Sequence, residues 1–219
     1  MSETHASILL MRRASTSTRS RVLAYVATQP NGAIVRANEL LTFGSRASVD
    51  QALSRLTREG RLLRVARGVY TKRIEGRFGP RAPSDAELVA AWSTERGETV
   101  APAPVTAANA LGLTTQNPVR PVYVTSGRSR DLSVGGKTIE LRHAPAWVVN
   151  APATKPGAIV RAGAWLGPEH AGEALAPIVA ELDATERREL QRAVATAPTW
   201  LATALLRPTA TPPEGTSHA

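Results

Sequence analysis

Residues 45–73 read SRASVDQALSRLTREGRLLRVARGVYTKR, and this stretch decides the expected fold. Ser45 is placed to cap a helix that runs to about Glu59 and is closed by Gly60. Val49, Ala52, Leu53 and Leu56 follow the i, i+3, i+4, i+7 rule and form one apolar face. A turn of about 100° per residue puts Ala47, Gln51, Ser54 and Arg58 on the opposite face, with Arg55 at its edge. Beyond the helix, two β-prone runs over 61–66 and 69–73 flank Arg67-Gly68, which reads as a hairpin.

Upstream, Ser17 can cap a helix to about Thr28, with Val22, Leu23 and Val26 at helical spacing and Tyr25 beside them. Gln29-Pro30-Asn31-Gly32 stops it. Ile34-Val35 is a short extended piece, and Ala37 to Leu41 reads as a short second helix ended at Phe43-Gly44. Three helices and a hairpin over 17–81 give a winged helix-turn-helix, preceded by a flexible arm over 1–16.

Charge separates this segment from the rest of the chain. Up to Arg81 there are 15 Lys/Arg against 5 Asp/Glu; from Ala82 onward there are 12 against 13, so one segment holds the whole excess. Abundant Arg and Ala also fit a GC-rich genome, but that does not explain the clustering. A basic module on a near-neutral remainder suits a polyanion. The outer face of the third helix is small, polar and cationic, as a major groove requires: Arg pairs with guanine and Gln with adenine. Arg64, Arg67, Lys72 and Arg73 would bring positive charge to the phosphates. Double-stranded DNA is therefore the expected partner. A protein-interaction module that meets an acidic enzyme through the same basic surface is the alternative.

Residues 82–207 form the second expected domain, and the whole chain reads as α+β. Ser84-Asp85-Ala86-Glu87 resembles a capping box ahead of a helix that ends near Gly97. A proline-spaced stretch, Ala101-Pro102-Ala103-Pro104, follows, and Thr106 is placed to cap a short helix to Leu111. Val122–Thr125 is a strand, and Gly135-Gly136-Lys137 joins two more. Ile159-Val160-Arg161 reads as extended. Two helices finish the domain, one from about Glu169 to Leu182 and one opened by Asp183-Ala184-Thr185-Glu186. Pro208 to Ala219 is Pro/Thr-rich and is expected to be disordered.

The residues offer little for catalysis. There are no cysteines, so disulfides and thiolate metal sites are excluded. The chain lacks a run of about 18 apolar residues for a membrane span, and the patch Ile8–Met11 is too short for a secretory core. His143 and His170 have no metal-ligand spacing, while His5 and His218 lie in the expected tails. A Gly-x-Ser-x-Gly elbow and a phosphate-binding Gly-Lys-Ser/Thr loop are both missing. Asp183, Glu186 and Glu189 read as a helix cap and a solvated face. The expectation is a cytoplasmic protein with no enzymatic activity, metal or cofactor.

Two stretches resemble a known family. Leu62 to Tyr70 is similar to the wing motif of AbiEi-type antitoxins. Thr106 to Gln116, followed by Val122–Thr125 and the glycine hairpin, is similar to the start of their second domain. The resemblance implies the antitoxin of a bacterial type IV toxin–antitoxin system that represses its own operon. Its DNA target would be an operator with an inverted repeat. The partner gene would encode a nucleotidyltransferase-like toxin, antagonised with no need of direct binding. Carried over by position, the DNA-facing residues are Arg46, Ser48, Gln51, Arg55 and Arg58 on the third helix and Arg64, Arg67 and Lys72 on the wing. The exposed face and the charge pattern add Ser54 and Arg73.

Overall fold

Ser17 caps the first helix as the sequence requires: its hydroxyl accepts from the Ser20 amide at 3.1 Å and opens α1, Thr18–Thr28. The computed structural model describes residues 17–116 and 118–206, and the expected arm and tail lie outside them. The fold is mixed α+β. Of the described residues, 17–97 and 131–139 form one compact unit, and the remainder form a second.

In the first unit, β1 (Ile34–Arg36) follows the Pro-Asn-Gly turn. The expected second helix is instead a short 3-10 helix over Glu39–Phe43. The Ala37 amide is already bound to the Gly68 carbonyl at 2.9 Å, which ties that residue to the sheet and leaves room only for a tighter, shorter turn. Ser45 caps α2, Arg46–Arg58, by accepting from the Ser48 amide at 3.3 Å. Val49, Ala52, Leu53 and Leu56 are buried against Val22, Val26, Val35 and Leu40. Full burial of each leucine stabilises the unit by about 2 kcal/mol. β2 (Leu62–Ala66) and β3 (Val69–Lys72) form the expected hairpin, and β3 lies between the other strands in an antiparallel sheet of order β1-β3-β2.

Two features of this unit depart from expectation. β4 (Ile74–Gly76) and β5 (Gly79–Arg81) make a second hairpin where none was read. Its strands lack apolar alternation, so the period-2 signal is missing. The helix expected to open the second domain, α3 (Asp85–Arg96), lies with residues 17–97 in the first unit. Leu88 and Trp92 are buried on α3, and both halves of its capping box are formed.

The second unit opens with β6, Val100–Pro102, so the first half of the proline-spaced stretch is a strand, paired antiparallel with β7 (Val122–Thr125). Thr106 is not a cap: α4 spans Pro104–Ala110 with its proline in the first turn, where the fixed φ suits a helix and no amide is needed. β8 (Arg130–Val134) and β9 (Lys137–His143) follow, in strand order β6-β7-β9-β8 with β7 and β9 parallel, and residues 131–139 of this hairpin group with the first unit. Gly135 and Gly136 turn the β8–β9 hairpin with φ of 57° and 82°, backbone that glycine adopts freely.

After α5 (Ala146–Val149) comes α6, Lys155–Ala180, kinked at Gly167-Pro168. Ile159-Val160-Arg161 is therefore helical, not extended. The Thr154 hydroxyl accepts from the Gly157 amide at 3.2 Å, and the segment is buried all round, which removes the amphipathic period that would have shown a helix. α7 (Ala184–Val194) begins at the Asp183 capping box as expected. A further helix, α8 (Thr199–Leu206), was not expected; its Leu201 and Leu205 join Ile159, Leu175 and Leu190 in the core.

Candidate nucleic-acid interface

The ten residues singled out in the sequence divide into two groups. Gln51, Ser54, Arg55 and Arg58 are exposed on α2, and Arg64 and Arg67 are exposed on the β2–β3 hairpin. None of these six side chains has a hydrogen-bond or ion-pair partner among the described residues. The other four are engaged locally. Arg46 pairs with Asp50 at 2.9 Å, one turn along α2. The Ser48 hydroxyl lies 2.8 Å from that of Ser45 at the cap. Lys72 donates to the carbonyls of Ala27 and Gln29 at 3.2 and 2.9 Å, so its ammonium closes the end of α1. Arg73 is half-buried, and its Nε is enclosed without a partner.

Several of the remaining cations in this unit are also spent on structure. Arg19 pairs with Glu59 at 2.6 Å. Arg21 donates to the carbonyls of Thr42 and Phe43 and lies over the Phe43 ring. Arg81 pairs with Glu87 at 2.7 Å, and that bond, with further donation from Ser84, holds the Glu87 carboxyl down at about 2. The cations left over are therefore concentrated on α2 and the first hairpin.

A cleft of about 700 Å³ lies where the end of α2 meets the root of the second hairpin. Arg58, Arg61, Lys72 and Arg73 line it with Glu59 and Glu75, beside the apolar Leu23 and Val26. Gly60 closes α2 with a φ of 69°, a left-handed conformation that glycine adopts freely. Sequence reasoning missed Arg61, and it missed the tip of the second hairpin, Arg77-Phe78. The spacing Gly76-x-x-Gly79 was the available signal for a two-residue turn.

His143 Nδ1 lies 2.8 Å from the Gly127 carbonyl, and His170 is exposed on α6. Asp183 accepts from the amides of Thr185 and Glu186, which holds its carboxyl below the usual range. Among the described residues, no three His, Asp or Glu side chains gather where they could hold a metal ion. No described helix is long and apolar enough to cross a membrane.

The molecule is thus a mixed α+β protein whose N-terminal unit presents unpaired guanidiniums on a helix and a hairpin. Residues 21–190 match the model of a family of unknown function, DUF6088, and the chain belongs to that family. No curated protein and no solved structure matches it.

Proposed function

We propose that this chain is a sequence-specific transcriptional repressor that grips double-stranded DNA through an N-terminal winged helix-turn-helix. In this reading α1, the 3-10 helix and α2 are the three helices, and β1, β3 and β2 are the sheet whose β2–β3 hairpin is the wing. One observation carries it: Arg55, Arg58, Arg64 and Arg67 are exposed and without acidic partners, beside the free Gln51 and Ser54 on the same helix. Arg can form paired hydrogen bonds with guanine and Gln with adenine in the major groove, while wing guanidiniums neutralise phosphates. The role as antitoxin of a type IV toxin–antitoxin pair, acting in the cytoplasm of a bacterium, rests on the resemblance of the wing and of 106–125 to AbiEi-type proteins.

The test is selection from a random pool of duplex DNA by the full chain. Enrichment of one sequence, with half-sites in inverted repeat and an affinity that falls steeply as salt rises, is the expected result. Equal retention of all duplexes, together with tight capture of an acidic protein, would overturn the reading in favour of an interaction module.

A further inference from the structure

The second hairpin carries a feature that its own fold does not require. Its two-residue tip is Arg77-Phe78, and Phe78 is 97% exposed, although the chain has only two phenylalanines. Leaving such a ring in water forgoes about 2 kcal/mol of burial. The Arg77 guanidinium lies 5.7 Å from the ring centroid, so the tip presents a flat cationic-aromatic pair. The root is held firmly. Arg81 is fixed to Glu87, Ile74 packs against Gly32, and Gly79 takes a φ of 105°, which lets the two strands close tightly.

Charge selects the occupant. The hairpin and its root hold Arg73 and Arg77 against Glu75, with Arg81 already paired to Glu87. A second copy meeting this tip would set like charges against each other. A polyanion with apolar gaps between stacked rings meets both demands. The cationic cleft of Arg58, Arg61 and Arg73 separates the end of α2 from this hairpin, so a sugar-phosphate strand lying in it would have α2 on one side and the hairpin on the other.

Resting on the repressor reading above, we propose that Arg77-Phe78 enters the minor groove adjoining the major groove that α2 occupies. Phe78 wedges into a base-pair step and kinks the duplex, while Arg77 favours a narrow A·T-rich groove beside it. The strand between the two grooves lies in the cleft.

The experiment uses the full chain and the duplex it selects from the random pool, with dyes at the duplex ends to report bending. 2-Aminopurine, placed at successive steps, reports unstacking. The parent should bend the duplex and brighten 2-aminopurine at one flanking step. Phe78→Ser should lose both signals and bind about tenfold more weakly. Phe78→Leu should restore most of the bend, because leucine also serves as a wedge. Arg77→Ala should lose the A·T preference in the flank. The exposed ring makes no core contact, so these variants should melt with the parent. A parent that binds its selected duplex without bend or unstacking, or a Phe78→Ser variant that bends it as the parent does, overturns this proposal alone. Failure to select any duplex overturns it together with the reading it rests on.

Discussion

Arg36 on β1 and Glu95 in the last turn of α3 form an ion pair at 2.8 Å, and the same guanidinium donates to the Glu95 carbonyl at 3.2 Å. Both side chains are more than two-thirds buried, so water screens the pair less than a surface bridge. It fastens α3 to the first unit across 59 residues of sequence. Glu95→Gln should therefore lower the stability of the first unit by about 1 kcal/mol, read from its denaturant midpoint. Arg36→Gln added to Glu95→Gln should cost less than the two single changes summed. Strict additivity would show that the pair holds nothing.

The elements that were readable in the sequence are those whose signal is local. Ser45, Gly60 and the spacing of Val49, Ala52, Leu53 and Leu56 fix α2 without help from elsewhere. Asp183 and Glu186 do the same for α7. Ile159-Val160-Arg161 was misread because a helix buried on every side shows no period, and its β-branched residues then speak for a strand. The place of α3 depended on Arg36, far away in the chain, which no local pattern reports. The same holds for the candidate interface. Its outer helical face followed from rotation about α2, whereas Arg46 and Lys72 lost their free charge to Asp50 and to the α1 carbonyls, partners visible only in three dimensions.

Arg55 and Arg67 should fail differently. Arg55 sits on the face assigned to base reading, so Arg55→Ala should relax preference at one position of the selected duplex and cost about 1–3 kcal/mol there. Arg67 sits at the hairpin turn assigned to phosphates. Arg67→Ala should weaken all duplexes about equally and reduce the slope of log affinity against log salt by about 1. Electrophoretic titration at several salt concentrations separates the two. Two variants with the parent's affinity and salt slope would remove both residues from the interface.

Glu87 gives a pH dependence whose sign is fixed. Donation from Arg81, then from the Ser84 amide and hydroxyl, lowers its carboxyl from 4.5 to about 2 in the folded chain. The unfolded chain therefore binds the proton more tightly, and the stability this group supplies is complete above 4.5 and is lost as pH falls towards 2. Glu87→Gln should melt earlier than the parent at neutral pH, and the gap should narrow steadily on acidification below 4.5. Thermal melts at a series of pH values check this, and a gap that widened in acid would contradict the assignment.

Arg161 sits inside the second unit at 1% exposure, where burial pushes its guanidinium down to about 10 and still leaves it charged at neutral pH. Among the described residues no carboxylate pairs with it. Nη1 donates to the Asn150 carbonyl at 3.2 Å and Nη2 to the Pro152 carbonyl at 3.0 Å, so the charge pins the turn that leads into α6. Ala151, between those carbonyls, is held at a φ of 47°, a strained backbone for a residue with a side chain. Two effects oppose each other when the charge is removed. Arg161→Met relieves the burial of a cation but takes the side-chain donors from two partly buried hydrogen bonds, at about 1 kcal/mol each. The two lost bonds should outweigh that relief, by about 2 kcal/mol in a urea titration. Arg161→Lys should recover only part of it, because a point ammonium cannot span two acceptors as the planar fork does. Amide exchange at Ala151, Ala153 and Thr154 should quicken in both variants before the rest of the unit responds. A methionine variant more stable than the parent would show that burying the charge costs more than the turn gains from it.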